Sequence, residues 1–156
     1  MKFIGLKYLL GLVAIFATFT FANATTKQKV VYHINYGEAK QQEGALRNIQ
    51  NHINAIGKDN LEIKVVLHGE GVSLLLDPDS LQKTKLKTAN ATDVLQAKIS
   101  GLKDQGVKFN VCENTLKGKN INFEDDLYDV SKADIVQSGV AELAILQSQG
   151  YAYIKP

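Results

Sequence analysis

Strand-like and helix-like segments alternate along this chain from Val30 to Ile154, and that order restricts its fold more than any other feature. Val30-Val31-Tyr32-His33-Ile34-Asn35-Tyr36 is rich in β-branched and aromatic residues and reads as a strand closed by Gly37. Leu46, Ile49, Ile53 and Ile56 then recur at spacings of three and four, which predicts a helix over 38–56 with Gly57 as its stop. A second strand is expected over 61–68, followed by a Gly69-Glu70-Gly71 turn, a short buried helix over 72–76 and a break at Asp77-Pro78-Asp79. The polar, lysine-rich stretch 80–90 reads as a loop. Leu95, Ile99 and Leu102 mark a helix over 93–104.

A third strand covers 107–112, with Val107, Phe109 and Val111 on one face and Lys108, Asn110 and Cys112 on the other. Asn114-Thr115 is suited to cap a short helix over 116–119. A loop at 123–128, a fourth strand at 134–137 and a helix at 140–149 follow. That helix is apolar on several sides and is expected to be well buried. A last strand covers 151–154. Strands that alternate with helices predict an α/β fold, one domain with a mostly parallel sheet and helices on both faces. Ligands of such sheets bind beyond the carboxyl ends of the strands. Gly37-Glu38, the His68-Gly69-Glu70-Gly71 turn and the segment from Cys112 to Thr115 all fall on that edge.

The first residues do not share the alternation. Lys2 and Lys7 precede an apolar run from Tyr8 to Phe21, and Ala22-Asn23-Ala24 supplies a small-x-small site. That is the pattern of a secretory signal peptide over 1–24, cleaved after Ala24, with a retained membrane anchor as the alternative. The domain then spans 25–156, enough for a hydrophobic core, and the expected location is periplasmic or secreted, with no membrane attachment after cleavage. Removing the signal removes two lysines and leaves sixteen basic and sixteen acidic residues. A balanced charge argues against a nucleic-acid partner, which selects a basic footprint. The Lys83, Lys85, Lys87 cluster reads as a solvated loop. Asn90-Ala91-Thr92 matches a glycosylation sequon.

The chain has one cysteine, Cys112. Exported proteins usually pair their cysteines, so a single one is inert, an intermolecular partner or a reactive thiol. Its parity with Lys108 and Asn110 and its place at a strand end favour exposure. A following helix start favours thiolate. A dithiol of the Cys-x-x-Cys kind is excluded. His68 ends a strand beside glycines and is either a ligand-orienting or proton-donating group or a packed histidine. His33 reads as structural and His52 as partly exposed. The histidines and the cysteine lack metal-ligand spacing, so neither a metal site nor a cofactor is expected. The Gly69 and Gly71 turn is either an anion-binding nest or a βα turn. Ser138-Gly139 is a helix cap first and a ligand contact second. No Gly-x-Ser-x-Gly elbow occurs, and Asp125-Asp126 reads as solvated.

Three blocks carry a family resemblance: His68 to Val72, Gly106 to Cys112 with Asn114-Thr115-Leu116, and Ser138 to Leu143 continuing to Gly150-Tyr151-Ala152-Tyr153-Ile154-Lys155-Pro156. With these blocks the chain resembles the DsrE/DsrF-like family, which includes the TusD-type sulfur-relay subunits. The resemblance implies a compact parallel α/β fold assembled as a homotrimer or homohexamer. It also implies a persulfide-carrying cysteine at the position of Cys112, with a sulfur donor or acceptor protein, or a small sulfur species, as partner. After their cysteine the relay members carry small residues and arginine, whereas this chain has Glu113-Asn114-Thr115. His68, Asn114 and Thr115 are the expected polar neighbours, and amides near Gly71 or Gly139 the expected anion donors.

Overall fold

A computed structural model describes residues 26–156 of the chain; the signal peptide expected over 1–24 lies outside them. Five strands form one parallel sheet: β1 (Gln28–Ile34), β2 (Leu61–Leu67), β3 (Lys108–Cys112), β4 (Ile135–Val136) and β5 (Ala152–Ile154). Their spatial order is β4-β3-β2-β1-β5. The chain steps outward from β1 to β4 and then crosses back to the far side of β1, so the order reverses between β1 and β5. This is the kind of switch point that opens a crevice at the strand ends.

Strand alternation divides the core in two. Val30, Tyr32 and Ile34 of β1, Ile63, Val65 and Leu67 of β2, and Phe109 and Val111 of β3 face one layer. That layer is covered by α1 (Ala39–Ile56), through Ala45, Leu46, Ile49 and Ile53, and by α2 (Asp93–Asp104), through Leu95, Ile99 and Leu102. The opposite face offers Val31 and Val66 to Leu143 and Leu146 of α5 (Gly139–Ser148) and to Tyr151. Two short helices, α3 (Glu113–Lys119) and α4 (Phe123–Asp126), complete the fold after β3. Helices thus lie on both faces, as the alternation requires.

Several local expectations shift. The segment after β2 is a 3₁₀ helix over Gly69–Leu74, and Pro78–Lys83 forms another across the expected break and the start of the expected loop. The helix after β3 begins at Glu113 with Cys112 as its N-cap, so Asn114 and Thr115 lie inside its first turn and do not cap it. The fourth strand shortens to two residues. Helix α5 is not buried on several sides: Val140 is 67% and Ile145 48% exposed, because only Gly139, Leu143 and Leu146 face the sheet. Asp126 is buried, not solvated, since α4 turns its carboxylate back to accept the Asn122 amide at 2.8 Å. Asn90 of the sequon is buried too. Its Nδ2 donates to Gly37 O and Gln42 Oε1, each at 2.8 Å, and is thereby withdrawn from modification in the folded chain.

Candidate functional site

The carboxyl edge of the sheet gathers the sequence candidates. The β2–β3 ladder ends at the pair Leu67 and Val111, and His68 and Cys112 are the next residue of each strand. Both therefore leave the sheet on the face of α5. Between them sits Gly139, the first residue of that helix. A Cβ there would stand 2.9 Å from His68 Cβ, 3.2 Å from His68 Cδ2 and 3.3 Å from Cys112 Cβ. Only a residue without a side chain allows the helix start to close on both groups at once. Ser138 makes that start possible by accepting the Ala141 amide at 3.4 Å as N-cap.

This closure overturns the expected exposure of Cys112, which is 5% exposed. A strand end is open only if the chain does not return over it. Here Cys112 pairs with Val136 of β4, the Asn114 amide donates to Gln137 O at 3.3 Å, and Gly139 covers the side chain. The thiol nevertheless belongs to neither apolar layer. Gly139 packs against both the Cys112 Cβ and the His68 side chain, and α3 and α5 begin beside it.

The other candidates divide. Thr115 Oγ1 accepts the Gly69 amide at 2.9 Å and ties α3 to the turn after β2. The Gly71 amide donates to His68 O at 3.0 Å. Both turn amides are engaged within the protein, which removes them as anion donors. Gly71 serves the fold: a Cβ on it would lie 2.1 Å from Ile34 O, so β1 and the turn can approach only through glycine. Asn114 points to solvent.

Two residues of the site were not expected. His33 lies on the α5 face of β1, and its Nε2 stands 2.7 Å from His68 Nε2. The rings are nearly parallel, with an interplanar angle of 20° and centroids 4.8 Å apart. On its other side, His33 Nδ1 is 2.7 Å from the Tyr153 hydroxyl, across the β1–β5 switch point. The sequence signal for this was thin: Val31 and Tyr153 are register partners, so a tyrosine there can reach the next residue of β1 on the same face, His33.

Burial disfavours the cationic form of both imidazoles. Burial, then the neighbouring His68 and then Lys155 pull the His33 imidazole from its ordinary 6.5 down to about 4. Burial and then Lys155 also lower that of His68. A neutral His68 has a ring nitrogen able to take a proton. On the same face Asn110 Nδ2 donates to Glu142 Oε1 at 2.9 Å and fastens α5 to β3.

A cavity of about 540 Å³ lies elsewhere among the described residues. It opens beside α3 between Leu116, Ile121, Phe123 and Ile135 and is not lined by Cys112 or His68. Among the described residues, no group of three or more His, Cys, Asp or Glu is arranged to hold a metal ion, and no helix is long and apolar enough to cross a membrane.

No curated protein matches the chain. Among solved structures it is similar to MTH1491, a protein of unknown function from Methanobacterium thermoautotrophicum, at 28% identity and a TM-score of 0.65, covering 83% of this chain and all of that one. It also shares its fold with the YchN protein of E. coli, at 20% identity and a TM-score of 0.57, over 83% of this chain and 99% of that one. The model of the DsrE/DsrF-like family matches residues 16–156, nearly the whole sequence, and the chain belongs to that family.

Proposed function

We propose that this protein binds and transfers sulfur, with Cys112 as a persulfide carrier and His68 as the base beside it. The observation that carries this is the joint packing of Cys112 and His68 on Gly139 at the carboxyl edge of β3 and β2. The thiol gives its proton to neutral His68. The resulting thiolate attacks the outer sulfane sulfur of a polysulfide or of thiosulfate. A new S–S bond forms at Cys112, the donor S–S bond breaks, and its electron pair leaves on the shortened polysulfide or on sulfite. An acceptor thiolate then attacks the outer sulfur and releases the Cys112 thiolate. The burial of Cys112 favours small sulfur species as donors and shelters the bound sulfur from water.

The pattern over 1–24 supports action after export, and the mature chain would take its sulfur from thiosulfate- or sulfide-derived species. Intact-mass measurement after incubation with polysulfide tests the reading. Wild type gains the mass of one sulfur atom and Cys112→Ser gains none; equal gain in both ends the proposal.

A second reading is favoured by the exposed apolar side chains of α5 and β5, Val140, Ile145 and Tyr153. They suit packing against further copies in a homotrimer or homohexamer, and a non-catalytic oligomeric module would need no thiol. On that reading Cys112→Ala keeps full function, while Val140→Glu lowers the sedimenting mass.

A further inference from the structure

The three side chains Tyr153, His33 and His68 form one continuous line of hydrogen bonds, 2.7 Å at each step, from β5 to His68, which packs with Cys112 on Gly139. Its outer end is accessible, Tyr153 being 43% exposed, whereas His33 in the middle is 7% exposed. We propose that this line is a proton relay: it links His68 to solvent through His33 and the Tyr153 hydroxyl, which makes His33 and Tyr153 positioning residues of the site. The inference rests on the sulfur-transfer reading for its purpose but not for its geometry.

Hydrogen-bond chemistry leaves the line two neutral arrangements. Each contact needs one hydrogen and one lone pair, and a neutral imidazole has one of each. In the first arrangement His68 Nε2–H donates to His33 Nε2 and His33 Nδ1–H donates to the tyrosine oxygen. The free His68 Nδ1 then carries a lone pair. In the second, the hydroxyl donates to His33 Nδ1, His33 Nε2–H donates to His68 Nε2, and His68 Nδ1 carries the hydrogen. A proton taken from the Cys112 thiol at His68 Nδ1 converts the first into the second: each hydrogen moves one step outward and the tyrosine proton leaves to water. The protons balance and neither imidazole need stay charged. That suits a pair whose cationic form is opposed by burial and by Lys155 of the C-terminal tail. Glu142 of α5, on the same face, is held by Asn110.

A lone packed histidine would need none of this. The alignment uses both nitrogens of His33, joins strands whose bonded residues lie 120 positions apart, and crosses the switch point of the sheet.

Tyr153→Phe is the discriminating variant, because it removes one hydroxyl from a residue that is 43% exposed and keeps its ring. Imidazole ¹⁵N NMR of the full mature chain reads the tautomers directly, without any sulfur chemistry. The relay predicts that wild type shows a mixture of both neutral tautomers at His33 and that Tyr153→Phe collapses it toward one. It also predicts that polysulfide loading of Cys112 slows by about tenfold, less than the roughly hundredfold or more expected from direct loss of a proton-transfer group, with a changed pH profile. Unaltered imidazole signals together with an unaltered loading rate and pH profile overturn the relay. If wild type takes up no sulfur at all, the sulfur reading fails, and the ¹⁵N comparison alone decides whether the hydrogen-bonded line exchanges protons.

Discussion

His68 and Cys112 hold equivalent places on neighbouring strands, one step beyond the Leu67–Val111 pair, and Gly139 closes on both. Gly139→Ala should therefore injure fold and site together. The added methyl must displace His68 Cβ, which belongs to the end of a strand and cannot swing away. Overpacking of this kind costs about 1–3 kcal/mol. We expect a lower denaturant midpoint together with loss of sulfur uptake at Cys112. A variant with unchanged midpoint and unchanged uptake would show that the helix start does not shape the niche.

Acid should destabilise the protein through the histidine pair. Both imidazoles bind a proton less readily when folded, so protonation favours the unfolded chain. Their contribution is fully present above the ordinary value of 6.5. It declines as pH falls below that value, and for His33 it levels off near pH 4. Chemical denaturation at a series of pH values measures this slope. His33→Gln, which cannot titrate, should flatten it; equal slopes in the two proteins would remove His33 as the source.

Cys112 should react slowly with iodoacetamide in the native state. At 5% exposure its thiol meets a reagent of that size only after local opening. We expect modification on the order of tenfold or more slower than in denaturant, with the ratio set by the opening free energy. Equal rates in native and denatured protein would mean that the covering segment from Val136 to Gly139 is not closed.

Gly71→Ala should be among the most damaging single substitutions. The new Cβ would overlap the Ile34 carbonyl, which is fixed backbone of β1. Strain there has no flexible partner to absorb it, and we expect a loss of about 3 kcal/mol or more. Circular dichroism and thermal melting check this. A melting temperature near wild type would require β1 and the turn to separate without cost.

Much of the architecture was legible because side-chain periodicity is a local property. Leu95, Ile99 and Leu102 alone define α2, whose observed limits are those expected. The parity of Lys108, Asn110 and Cys112 correctly assigned one face of β3. His68 and Cys112 were visible as strand-end residues on the carboxyl edge for the same reason. The family blocks around them correctly indicated the DsrE/DsrF-like fold.

Burial and partnership were another matter. Whether Cys112 is open or covered depends on where residues 136–139 return, and the site lost its expected exposure because β4 and α5 come back over it. The pairing of His33 with Tyr153 depends on β5 adding beside β1, a choice made by the whole sheet and invisible in either segment. Spacing along the backbone was enough to place the long strands and helices and the face each of their side chains takes, but not the short elements after β2 and β3. Which strands are neighbours, which polar groups meet and what covers the thiol were not legible, because they follow from packing between residues far apart in the chain.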